Sequence, residues 1–121
     1  MSCWTNICQL DDILPATGVC ALLNDQQIAL FRPSADPQVF AISNIDTFFG
    51  ASVLSRGIIA EHERELWVAS PLKKQHFRLR DGWCLEDENY SVAAYPVRVE
   101  QGVVQLQPCG TVAAGHGVLA G

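Results

Sequence analysis

Apolar residues along this chain come in short runs rich in Val, Ile, Leu and Phe, separated at short intervals by turn residues. That pattern predicts an antiparallel all-β domain with few helical stretches. Predicted strands cover residues 4–8, 19–23, 27–32, 39–43, 65–69, 76–78, 94–100 and 103–107. Asn24-Asp25 and Gln101-Gly102 sit between apolar runs and suit tight hairpins, because these residue types tolerate the left-handed backbone such turns need. In the last hairpin Val97 and Val99 alternate with Arg98 and Glu100, and Val104 and Leu106 with Gln105 and Gln107, so one face packs inward. Asp11 to Pro15 reads as a loop, since Pro15 and Gly18 limit any helical turn there. Past Pro108 the composition shifts to Gly, Ala and other small residues, which divides the chain into a domain over 1–108 and a loosely packed tail over 109–121.

The 121 residues suit a single core that needs neither disulfides nor a structural metal. A net charge of −5 leaves no basic stripe, so nucleic acid and anionic membranes are poor partners. No run approaches the roughly 18 apolar residues of a membrane helix, and the start lacks a signal peptide's basic and apolar regions. A cytoplasmic protein is expected. Five scattered cysteines, Cys3, Cys8, Cys20, Cys84 and Cys109, read as reduced thiols and not as a disulfide framework.

The usual catalytic signatures are missing: no phosphate-binding glycine loop, no Cys-x-x-Cys, no His-Glu-x-x-His and no Gly-x-Ser-x-Gly. Gly115-His116-Gly117 is no nucleotide fingerprint, because no strand precedes it. His62, His76 and His116 stand far apart, none at metal-ligand spacing from a cysteine. His76 and Cys84 are expected near one another, yet Cys84 beside Trp83 reads as a small core residue because no basic cluster would lower its pKa.

Two segments carry more information. The first runs from Ala41 to Gly57 and includes Asn44, Asp46, Phe48, Gly50-Ala51 and Leu54. The second runs from Leu66 to Gly82 and includes Val68, Ser70, Pro71-Leu72, Lys73, Phe77 and Leu79. Together they resemble the two cluster-binding loops of Rieske domains, which implies a Rieske-like antiparallel β-sandwich or barrel with two projecting loops. In that family the loops carry Cys-x-His and Cys-x-x-His, thiolates holding one iron and imidazoles the other. Asp46, Phe48, Ser70 and Lys73 stand at those positions here. None replaces the ligand usefully: phenyl has no lone pair to give, ammonium is a cation, and carboxylate and hydroxyl are hard oxygens where soft sulfur is wanted.

A Rieske frame with all four ligands replaced resembles the small subunits of bacterial cytoplasmic NADH-dependent nitrite reductase, most specifically over Ser43 to Gly57. The resemblance covers about Trp4 to Gln107. It implies an accessory chain with no cofactor and no catalytic residue of its own. The implied partner is a large subunit carrying FAD, sirohaem and an iron-sulfur cluster that reduces nitrite to ammonium with electrons from NADH.

Physically, the vacated space must be filled. Phe48 is expected to fill it, with Asp46 and Lys73 facing one another as an ion pair. A docking patch is expected on the loop tip from Phe48, Phe49 and Trp83 with Lys73, Lys74 and Arg78, against the alternative that both phenylalanines belong to the core. Three other readings stay open: an electron carrier with atypical ligands such as Cys84 and His76, a small-molecule enzyme using Asp46, Ser70 and Lys73, and an interaction module of another oxidoreductase.

Overall fold

In the computed structural model, which describes residues 4–112, Asn24 and Asp25 turn the chain with φ of 50° and 67°. Gln101 and Gly102 do so at 52° and 79°. Two consecutive left-handed residues match the twist of the strands they join, so both predicted hairpins form. A third pair, Glu63 and Arg64 at 52° and 67°, makes the same turn without the Gly or Asn that would announce it.

The strands are β1 (Thr5–Gln9), β2 (Thr17–Leu23), β3 (Gln26–Arg32), β4 (Phe40–Ser43), β5 (Ile45–Asp46), β6 (Ala51–Ser52), β7 (Ile58–His62), β8 (Glu65–Ala69), β9 (His76–Arg78), β10 (Ala93–Ala94), β11 (Val97–Glu100), β12 (Val103–Leu106) and β13 (Thr111–Val112). Every pairing is antiparallel. A five-stranded sheet runs β13-β10-β4-β3-β2, flanked by the sheets β1-β12-β11 and β7-β8-β9, with β5-β6 as a separate hairpin.

β3 is the centre of the molecule. Ile28 and Leu30 face a cluster with Leu23, Ala41, Val104 and Leu106. Ala29 and Phe31 face the opposite cluster with Ile42, Leu54, Val68, Phe77 and Leu79. The five-stranded sheet is therefore the middle layer, and burying its two faces supplies most of the apolar driving force, about 1.5–3 kcal/mol per large side chain.

The structure departs from the sequence pattern in several places. β7 was not predicted, because its apolar start, Ile58-Ile59, dissolves into the charged run from Glu61 to Glu65. The predicted strand 94–100 is two strands: Pro96 has no N–H to donate, and the chain passes there from β10 in the middle sheet to β11 in another. The expected loop before Pro15 holds one 3-10 turn, Leu10–Asp12. Arg32 fastens it, donating from a buried guanidinium to the carbonyls of Leu10 (3.3 Å), Ile13 (3.0 Å) and Ala35 (2.8 Å). Past Pro108, β13 adds an edge to the middle sheet at Ala93 and Ala94. Gly115-His116-Gly117, Cys3 and the rest of the predicted tail lie outside the described residues.

Candidate functional site

The first loop leaves β4 at Asn44, which is buried and bonded on every side. Its N–H donates to the Gln27 carbonyl (3.0 Å), and its carbonyl accepts from Leu54 N–H (3.0 Å). Its side-chain Oδ1 accepts from Ser55 N–H (2.7 Å), while Nδ2 donates to Gln27 Oε1 and Cys20 Sγ, both at 3.4 Å. One amide side chain thus ties the two ends of the loop to the middle sheet. Gly57 ends it where a Cβ would lie 2.4 Å from the Ala69 carbonyl oxygen, so the close approach of loop and β8 requires glycine.

Within this loop β5 and β6 form a short hairpin, with Asp46 opposite Ala51. The Asp46 carbonyl accepts from Phe49 N–H (3.2 Å) and Gly50 N–H (2.7 Å), and its Oδ1 accepts from Phe48 N–H (2.8 Å). The second loop hangs from Ser70 at the end of β8. Ser70 N–H donates to the Gln75 carbonyl (2.8 Å), and Ser70 carbonyl accepts from Lys74 N–H (2.9 Å).

A buried hydrogen bond joins the two loops. Ser70 Oγ donates to Asp46 Oδ2 at 2.5 Å, with Asp46 0% and Ser70 1% exposed. A buried carboxylate needs donors, and a hydroxyl and an amide provide them here. Asp46 and Ser70, the positions at which the resemblance to Rieske loops leads one to expect cysteine, join the loops directly.

The expected Asp46–Lys73 ion pair does not form. Among the described residues Asp46 has no cationic partner, and Lys73 is exposed with Nζ 5.9 Å from the centre of the Phe49 ring. The carboxylate already has its donors, and burying an ammonium beside it would cost hydration that the pair would not recover. Phe48 does pack inward. It stacks on Tyr90 with centroids 4.3 Å apart and meets Phe77 edge-on at 6.4 Å. Thr47 Oγ1 donates to the Tyr90 carbonyl beside that stack, so a third segment, residues 85–91, closes the site.

The six predicted docking residues separate into three environments. Phe49, 48% exposed, shares the loop tip with exposed Lys73 and Lys74. Phe48 is half-buried in the stack. Arg78 lies opposite Trp67, two register positions along β9 from the tip-proximal pair Ala69–His76. Its guanidinium donates twice to Asp81, at 2.8 and 2.7 Å, and sits 5.6 Å from Trp67 and 5.7 Å from Trp83. The hydrogen bonds to Asp81 hold Arg78 above its ordinary pKa. Burial pushes the Asp81 carboxyl up, but its bonds from Arg78 and Trp83 N–H outweigh this and hold it low.

His76 and Cys84 do come close, through Glu86. His76 Nδ1 lies 2.8 Å from Glu86 Oε2, and Cys84 Sγ lies 3.9 Å from Oε1. Cys84 is 0% exposed and burial pushes its thiol pKa up, which is the opposite of a reactive thiolate. The four described cysteines are free thiols. Among the described residues no three His, Cys, Asp or Glu side chains gather as a metal site. Tyr90 and Glu86 were not singled out from the sequence, since nothing local marks a tyrosine as the partner of a residue so distant along the chain.

Three antiparallel sheets with two loops meeting at their tip define a Rieske-like domain, and the family described as "Rieske-like [2Fe-2S] domain" matches residues 3–107. The ferredoxin of carbazole 1,9a-dioxygenase from Nocardioides aromaticivorans shares the fold, with a TM-score of 0.75 at 24% identity over 89% of this chain and 100% of that one. The Escherichia coli (strain K12) nitrite reductase (NADH) small subunit is 69% identical over 107 residues, 88% of this chain and 99% of that protein. The NMR structure of the E. coli protein NirD superposes with a TM-score of 0.83, covering 88% and 97% at the same 69% identity. The chain belongs to the family of nitrite reductase (NADH) small subunits. A nitrite reductase [NAD(P)H] large subunit from Klebsiella oxytoca also matches, 45% identical over 101 residues that make up 84% of this chain and 10% of that protein.

The Rieske-like family implies a [2Fe-2S] centre, and the residues present do not fit one. Asp46 and Ser70 are buried and hydrogen-bonded to each other, Phe48 is stacked on Tyr90, and Lys73 points its charge at Phe49. The set offers neither thiolate nor imidazole.

Proposed function

We propose that this chain is an accessory subunit that docks by its loop tip on the catalytic large subunit of a cytoplasmic NADH-dependent nitrite reductase, and that it holds no cluster. The observation that carries the reading is the Asp46–Ser70 hydrogen bond, which joins the loops where cysteine thiolates would otherwise hold iron. Electrons then pass from NADH to nitrite within the large subunit, through its FAD, iron-sulfur cluster and sirohaem, and this chain acts by binding.

The Klebsiella relative supports the partnership, since a segment like this chain is built into a protein described as a large subunit. Phe49, Lys73 and Lys74 are the exposed tip residues that would make first contact, an aromatic anchor with cations around it. Among the described residues no helix is long and apolar enough to cross a membrane. The test is nitrite-dependent NADH oxidation by purified large subunit with and without this chain. The reading predicts that the chain changes turnover and saturates at one chain per large subunit, with Phe49→Asp weakening the effect. Unchanged turnover together with no measurable binding would reject it.

A further inference from the structure

Beside the Asp46–Ser70 contact the surface opens into a cleft of about 360 Å³ lined by Arg56, Gly57, Ile58, Ala69, Ser70, Pro71 and Lys74. It runs between the start of β7 and the second loop. Its floor is apolar, and Ile58 stands 74% exposed at its edge, an unusual place for a large aliphatic side chain. Arg56 and Lys74 supply the polar part.

The charge around this cleft runs against that of the chain. The protein carries eight Lys and Arg against thirteen Asp and Glu. Arg32, Arg78 and Arg80 are each paired with a carboxylate. Arg98 donates to Gln105 and lies over Trp4, and Arg64 sits in the turn at the far end of β7 and β8. Arg56, Lys73 and Lys74 remain, all three at the loop end and none with an ion-pair partner among the described residues. The Asp46 carboxylate, bonded to Ser70 of the cleft wall, is buried, and Glu86, Asp87 and Glu88 belong to the segment that meets the tip through Tyr90 and do not line the cleft.

Lys74 adds a second observation. Its φ is +63°, a conformation that glycine adopts freely and lysine does not. A cation is held at a position where the backbone favours glycine.

We infer that this cleft is the recognition site for an acidic segment of the large subunit, with a carboxylate between Arg56 and Lys74 and an apolar side chain over Ile58 and Pro71. Complementary charge selects the partner and steers its approach, while the apolar floor holds it. This deepens the docking reading above and rests on it: the tip makes contact, and the cleft specifies what it contacts.

The experiment measures binding of purified large subunit to the immobilised full chain at low and high salt. Arg56→Gln and Lys74→Gly are each expected to weaken binding about tenfold and to flatten the salt dependence, and Ile58→Asp to weaken it further. Lys74→Gly relieves the left-handed backbone, so its thermal midpoint should equal or exceed that of the wild type, which separates lost contact from lost fold. Arg64→Gln, at the far end, should bind within about twofold of the wild type. Wild-type binding with unaffected cleft variants, or equal losses from Arg64→Gln and Arg56→Gln, would overturn the cleft assignment alone. No wild-type binding would remove the docking reading and the cleft together. NADH titrated into the isolated chain should leave the Arg56 and Lys74 amide signals unmoved; shifts there would mark a nucleotide site instead.

Discussion

Phe48 lies flat on Tyr90, ring centroids 4.3 Å apart and planes 9° from parallel, joining the first loop to the segment that follows β9. Phe48, where the resemblance to Rieske loops leads one to expect histidine, is part of the packing. An aromatic pair of this kind contributes about 0.5–1.5 kcal/mol beyond the area it buries.

Phe48→Ala should therefore destabilise the fold by about 2–3 kcal/mol, less than a fully buried phenylalanine because the ring is only half-buried. Urea denaturation checks this. A double-mutant cycle with Tyr90→Ala should return a coupling of about 1 kcal/mol, and additive losses would mean the stack carries no energy of its own.

Ser70→Ala removes the hydroxyl that meets Asp46 inside the protein. The carboxylate then keeps Phe48 N–H alone as a side-chain donor, and the cost should be about 1–3 kcal/mol. Ser70→Thr retains the hydroxyl and should cost less. Equal stability of the alanine variant and the wild type would show that the loop contact does not stabilise the tip.

Three glycines should respond unequally to alanine. Gly50 has φ +67° with nothing within 4 Å of an added Cβ, so Gly50→Ala should cost only about 1–2 kcal/mol of backbone strain. At Gly82, φ is +77° and the Cβ would lie 2.1 Å from the Val92 carbonyl oxygen. Gly82→Ala should prevent folding or cost more than about 3 kcal/mol, since strain and collision add. Gly57→Ala meets backbone at 2.4 Å without the φ penalty and should fall between them. Thermal melts rank the three directly.

Acid should unfold the protein partly through Glu86. Burial pushes its carboxyl up, but hydrogen bonds from the backbone N–H and ring of His76 outweigh this and hold it below its ordinary 4.5. Asp81 is likewise held below 3.8. A carboxylate whose pKa is lowered by folding stabilises the native state above the unfolded pKa, and that stability is lost as pH falls through the folded value. The window is thus below 4.5 for Glu86 and below 3.8 for Asp81. The Glu86→Gln, Asp81→Asn double variant should show a flatter decline of the urea midpoint across that range. Both carboxylates are partly exposed, so added salt should shrink the difference.

Most of the fold is legible along the chain because its strands alternate or run apolar between turn-forming residues, as from Gln26 to Arg32 and from Val97 to Leu106. β7 escaped because its own end and the turn after it, Glu61 to Glu65, read as a solvated charged stretch, and Glu63-Arg64 turns without glycine or asparagine. The site was legible as a set of positions but not as a set of contacts. That Asp46, Phe48, Ser70 and Lys73 offer neither thiolate nor imidazole follows from residue identity alone. Which of them touch does not: opposite charge favoured Asp46 with Lys73, whereas burial decided for Asp46 with Ser70, and the Tyr90 under Phe48 lies 42 residues away along the chain. The cleft at Arg56, Ile58 and Lys74 depends on which cations lack partners, information that exists only after folding.

If the Asp46–Ser70 hydrogen bond joins the loops in place of iron, the purified chain carries no cluster. Iron and acid-labile sulfide analysis of the full chain, purified anaerobically from iron-replete cells, with electron paramagnetic resonance after dithionite reduction, tests it most directly. The expected result is a colourless protein, iron far below one atom per chain and no cluster signal. About two irons and two sulfides per chain with a rhombic signal on reduction would contradict it.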